Sequence, residues 1–146
     1  MKTNKKSRAP RVRSLRDLPR EGVAGGLVLR FLPVPRKPYG VSLLHEVLPP
    51  FSATPALYHR ATAEFVYVLK GSAKAYLDGS LVHLKSGDMF EIPAGMEHQF
   101  MTKNSRAEVL SVFSPPLDPK KPDVHPGRDA RTGARFAKDA VKMARS

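Results

Sequence analysis

From residue 26 to residue 114 the chain is a series of short apolar runs, each stopped by glycine, proline or aspartate, with no sustained helical spacing among them. Glycines at 71, 79, 87 and 95 fall eight residues apart, and the segments between them are rich in Val, Leu, Phe and Tyr, which is the rhythm of an antiparallel meander. In "AYLDGSLVHL" the pair Asp78-Gly79 separates two strands where a tight hairpin needs positive φ. "HLKSGDMFEI" repeats the pattern around Ser86-Gly87-Asp88. Upstream, "GLVLRFL" (26–32) and "VSLLHEVL" (41–48) read as strands joined by "PVPRKPYG". Downstream, "HQFMT" and "EVLSVFS" supply two more before Pro115-Pro116 ends the pairing.

Eight or nine strands in about 90 residues predict an all-β sandwich or barrel and exclude a βαβ fold. A helix is predicted only within "ARTGARFAKDAVKMARS", where Phe136, Ala140 and Met143 share one side.

Length and composition refine this picture. A chain of 146 residues fits one domain able to bury a core without cross-links. With no cysteine, disulfide frameworks and thiolate zinc sites are excluded. No run approaches the roughly 18 apolar residues of a membrane span, and the basic N-terminus precedes no apolar signal core. The expectation is a soluble cytoplasmic protein with no membrane partner.

The net charge of +12 belongs to the ends. Residues 1–20 carry eight Lys/Arg against Asp17, and residues 117–146 carry eight against four Asp, whereas residues 21–116 hold nine basic and eight acidic groups. The expected division is therefore a flexible basic tail over 1–20, a β-domain over 21–116, and a basic C-terminal tail over 117–146. A basic tail is a solvated segment in most proteins and a nucleic-acid arm in some, so contact with nucleic acid through the tails is a reading kept but not favoured.

Candidate chemistry centres on "YHRATAEFVYVLKG". Side chains alternate faces along a strand, so His59 and Glu64, five apart, share a face only if the chain breaks between them; "RATA" is the place for such a break. His98 follows a turn built from Pro93 and Gly95, and a β-barrel can bring it to the same cavity. His45 and His83 lie in strands and read as packed or surface residues, while His125 reads as solvated in the tail.

These residues resemble the two motifs of a small single-domain cupin (the cupin type-2 conserved barrel family). The first motif has the form G-x5-H-x-H-x(3,4)-E-x6-G, and its second half is met by His59, Glu64 and Gly71. The second, G-x5-P-x-G-x2-H-x3-N, is met by Gly87, Pro93, Gly95 and His98. Three positions depart: Phe51 for the opening glycine, Leu57 for the leading histidine and Thr102 for the closing asparagine.

The resemblance implies a cupin-type antiparallel β-barrel, a double-stranded jelly roll, acting as a homodimer that pairs through outward residues of "FVYVL". It implies that His59, Glu64 and His98 are the metal ligands, three instead of the usual four, for one divalent transition metal (Fe, Mn, Ni or Zn). His45 is an outside candidate for the place of Leu57. Two readings of the cavity stay open: a metal held by the trio, or an empty cavity that kept its shape. The corresponding functions are a mononuclear metal-dependent oxygenase or isomerase acting on a small organic molecule, and a non-catalytic, metal-free binding or sensing protein. A nucleic-acid-associated scaffold is the third reading.

Overall fold

The computed structural model describes residues 12–23 and 26–135. The helix expected around Phe136, Ala140 and Met143 lies outside the described residues, as does most of the N-terminal basic segment. Of that segment, Leu15–Asp17 forms one 3-10 turn. Among the described residues no helix is long and apolar enough to cross a membrane.

Among the described residues ten strands form one antiparallel system: β1 (Glu21–Val23), β2 (Leu27–Leu32), β3 (Ser42–Leu48), β4 (Leu57–Tyr58), β5 (Ala63–Leu77), β6 (Ser80–Lys85), β7 (Met89–Ile92), β8 (His98–Met101), β9 (Ala107–Ser114) and β10 (His125–Pro126). The hairpin at Asp78-Gly79 has φ of 47° and 84°. This is the left-handed pair that a two-residue turn requires, and it pairs Leu77 with Ser80.

Hydrogen bonding runs β1-β2-β3-β9-β5-β8-β4-β10, with β6 and β7 attached to β5. The order is jelly-roll-like, but the path is open, with β1 at one end and β10 at the other; the closed barrel implied by the resemblance is corrected to this extent. The cause lies in β5, which is long enough to serve two sheets. Residues 63–71 pair with β9 and residues 64–67 with β7. Residues 72–77 pair with β6 and residues 74–77 with β8. A register shift between Val68 and Lys70, followed by Gly71 at φ 76°, turns the strand from one sheet to the other.

Strand alternation then builds the interior. Val66 and Val68 of β5, Val109 of β9, Leu48 of β3, Leu27 of β2, and Phe100 and Ile92 form the main buried cluster. Leu29, Leu44 and Phe113 form a second cluster, joined by Phe31 and Leu117. On the inward rows Glu64 and Ser111 are buried polar members, 4% and 1% exposed. The opposite row of β5 carries Phe65 and Leu69, each exposed.

Candidate metal centre

Each member of the trio comes from a different piece of this scaffold. His98 opens β8 and pairs across the ladder with Leu57 of β4. Glu64 is the second residue of β5, opposite Phe113 and Ile92. His59 follows the end of β4, in a turn over residues 59–62 that breaks the parity and lets His59 and Glu64 meet. The Gly95 N–H donates to the His59 carbonyl at 2.6 Å, tying that turn to the one before β8.

The three side chains are buried, and one ligand atom of each lies within 4.8 Å of the other two. The Nδ1–H of His59 donates to the Asp123 carbonyl (2.6 Å), and that of His98 to the Met96 carbonyl (3.0 Å). With each Nδ1 facing an acceptor, each Nε2 keeps its lone pair, the arrangement typical of metal-ligating imidazoles. Burial pushes both imidazoles below their ordinary pKa, which keeps them neutral near pH 7.

Burial pushes the Glu64 carboxyl up, while His59 and a Ser111 hydrogen bond pull it back. Its Oε2 has no hydrogen-bond donor, yet sits 3.4 Å from His98 Nε2. A carboxylate oxygen facing an imidazole lone pair at this distance, both out of water, needs a positive charge between them: a proton or a metal ion. The donor set of two imidazoles and a carboxylate fits a divalent transition metal with positions left open.

Around the trio is a cavity of about 60 Å³, walled by Leu29, Phe31, Leu44, Phe113 and Leu117 together with Leu57 and Val124. That is room for an ion with a few waters, or for a very small molecule. Leu57 thus stands in the wall beside the trio, where the first motif has its leading histidine.

His45 does not join the site. On β3 it lies on the row opposite Leu44, Glu46 and Leu48, buried at 4% exposure and facing Glu108 at 3.4 Å, so it cannot stand in for Leu57. His83 is exposed on β6. His125, expected in a solvated tail, stands in β10, pairs with Tyr58 of β4 and meets Asp123 at 2.8 Å.

Two residues that sequence reasoning passed over belong to the site. Asp123 accepts backbone N–H groups from Arg60, Ala61 and Thr62 at 2.9, 2.7 and 3.1 Å. Although partial burial pushes its carboxyl up, these donors and His125 hold it down at about 2. Glu46 reaches the cavity from β3. Burial first, and the neighbouring Glu64 second, push it from an ordinary 4.5 to about 8.

Glu46 therefore gives a pH signature. A carboxyl whose folded pKa is raised stabilises the fold fully below its unfolded value and loses that contribution as pH rises from about 4.5 through about 8. Glu46→Gln is expected to match the metal-free parent near pH 4 and to exceed it above pH 8 by a few kcal/mol at most, read from urea midpoints. A gap that is the same at both pH values would show that Glu46 ionises freely.

A small antiparallel β-roll with two imidazoles and a carboxylate converging on an interior cavity is the architecture of a cupin. Residues 44–113 match the family model for the cupin domain, Cupin_2. An uncharacterised protein of Aquifex aeolicus (strain VF5) is 36% identical over 63 residues, covering 43% of this chain and 52% of that protein. The chain thus spans about half the length of that relative. Among solved structures, the polyketide cyclase RemF of Streptomyces resistomycificus is similar at 20% identity, with a TM-score of 0.68 and 92% of each chain covered. KdgF of Halomonas sp. is similar at 18% identity, with a TM-score of 0.63 over 70% of this chain and 91% of that one. An RmlC-like cupin of Shewanella frigidimarina is similar at 20% identity, with a TM-score of 0.63 over 73% and 92%. At such identities these likenesses show the fold.

Proposed function

We propose that His59, Glu64 and His98 bind one divalent transition metal (Fe, Mn, Ni or Zn), and that the apolar cavity beside them takes a small organic molecule, as in a mononuclear oxygenase or isomerase. The observation that carries this reading is Glu64 Oε2, buried without a hydrogen-bond donor and 3.4 Å from the Nε2 of His98. In this reading the metal supplies Lewis acidity or an oxygen-binding centre. The chain's own residues do the rest: the Asp123 and Met96 carbonyls orient the imidazoles, and the apolar walls keep bulk water from the trio.

Leu57 favours a second reading, a cupin that binds or senses a small molecule without metal. A proton shared by Glu64 and His98 then satisfies the pair.

One experiment separates the two. An ion that binds only the folded state adds about 2.7 kcal/mol at a hundredfold excess over Kd, roughly 8–10 °C in melting temperature for a domain of this size. Mn(II), Fe(II), Ni(II) or Zn(II) is expected to raise the melting temperature of untagged protein by that order. No response to any of the four favours the metal-free reading.

A further inference from the structure

His59 owes its orientation to a part of the chain more than 60 residues away. β4 ends at Tyr58, and the turn that carries His59 has its amides drawn together by the carboxylate of Asp123, while the Asp123 carbonyl takes the His59 Nδ1–H. Asp123 in turn lies on a strap, residues 117–127, laid across the cavity. Leu117 and Val124 of this strap form part of the cavity wall, β10 pairs with β4, and the Gly127 N–H donates to the Ala56 carbonyl at 2.8 Å. The strap sits so close to β4 that a Cβ on Gly127 would lie 3.1 Å from Leu57 N and 3.2 Å from Ala56 C.

We propose that Asp123 is the positioning residue of this site: it fixes the tautomer and direction of His59, so that the strap roofing the cavity also makes the trio competent to bind metal. His98 differs, because its Nδ1 partner is the Met96 carbonyl two residues away. Loosening the strap should therefore disturb one imidazole and spare the other, which a general loss of stability would not do. The inference rests on the metal reading only for its consequence; the tautomer of His59 is a property of the metal-free protein.

The test uses the full chain carrying Asp123→Ala, the milder Asp123→Asn, or Gly127→Val, which crowds the strap off β4 without altering the Asp123 side chain itself. Long-range 15N–1H NMR of the metal-free proteins reads the two tautomers, and competition with a chelator reads the Zn(II) Kd. In the parent both imidazoles should hold a single Nδ1–H tautomer. In Asp123→Ala and Gly127→Val, His59 should average between tautomers while His98 stays as it was, and Zn(II) affinity should fall roughly 10- to 100-fold, the usual effect of losing a partner that orients a ligand. Asp123→Asn should lie between, and it decides the matter if the stronger variants do not fold. Variants that fold with the parent's His59 tautomer overturn the proposal, whatever happens to Zn(II). A tautomer change in a protein whose parent binds no Zn(II) upholds the positioning role and removes the metal reading instead.

Discussion

Gly71→Ala is expected to cost roughly 4 kcal/mol or more, a large part of the 5–15 kcal/mol that holds a domain of this size together. Gly71 has φ 76°, and a Cβ built there would lie 1.7 Å from the Arg106 carbonyl oxygen and 2.8 Å from its carbon. Both are backbone atoms, so no side-chain rotation relieves the clash. The residue pairs with Ala107 at the point where β5 leaves one sheet for the other, and a shift there separates Val68 from Val109 in the core. Gly79→Ala is the matched control. It shares the left-handed backbone, at φ 84°, but its Cβ would meet nothing within 4 Å, so only the conformational cost of about 1 kcal/mol is expected. Urea denaturation reads both, and equal losses would mean that the close approach at Gly71 is not what the strand crossing requires.

The second large effect concerns the ligands themselves. Glu64→Ala removes the trio's negative charge as well as a bond, and the expected loss of metal affinity exceeds 100-fold, since losing an outer partner alone costs 10- to 100-fold. Leu57→His is expected to act in the opposite direction. Leu57 pairs with His98 and lies two residues before His59 in the cavity wall, so an imidazole there adds a fourth donor. It also buries a polar ring in an apolar wall. The variant should therefore melt below the parent without metal and shift further upward with it. A Leu57→His protein that binds metal no better than the parent would show that the wall position does not converge on the trio.

Much of this was legible in the chain. Alternation and turn residues predict β2, β3 and β6 to β9, because apolar runs there are bounded by glycine or proline; β5 differs, since Gly71, read as a stop, lies inside one strand that runs from Ala63 to Leu77. Parity requires a break between His59 and Glu64 if the two share a face, and "RATA" (60–63) marked its place, although Ala63 already opens β5. Glu46 was hidden by a symmetry of β3: in "VSLLHEVL" one row reads Val41, Leu43, His45, Val47 and the other Ser42, Leu44, Glu46, Leu48. Each row carries one ionisable group among aliphatic residues, so only the packing of β3 on β2 and β9 decides which faces in. The strap was hidden for a different reason. "LDPKKPDVHPGRD" has no periodicity and many prolines, and β4 and β10 are two residues each. What makes the strap structural is contact with residues more than 60 positions away, which local pattern does not carry.

The departures from the cupin motifs also acquire physical content. Phe51, in place of the opening glycine, keeps a left-handed backbone at φ 55°, the conformation that glycine adopts without strain. Thr102, in place of the closing asparagine, accepts the Ser52 N–H at 3.0 Å and donates to the Pro49 carbonyl at 2.5 Å, so it still braces the loop before β4. Leu57 differs in kind, because no other described side chain supplies its imidazole.

The central claim, that the three residues hold a metal, is tested most directly by counting metal in the protein. Untagged parent and Glu64→Ala are each incubated with Fe(II), Mn(II), Ni(II) and Zn(II) in turn, desalted, and assayed by elemental mass spectrometry. The account predicts one divalent ion per parent chain and none above background in Glu64→Ala. A parent that comes through desalting as empty as the variant, with all four ions, would contradict it.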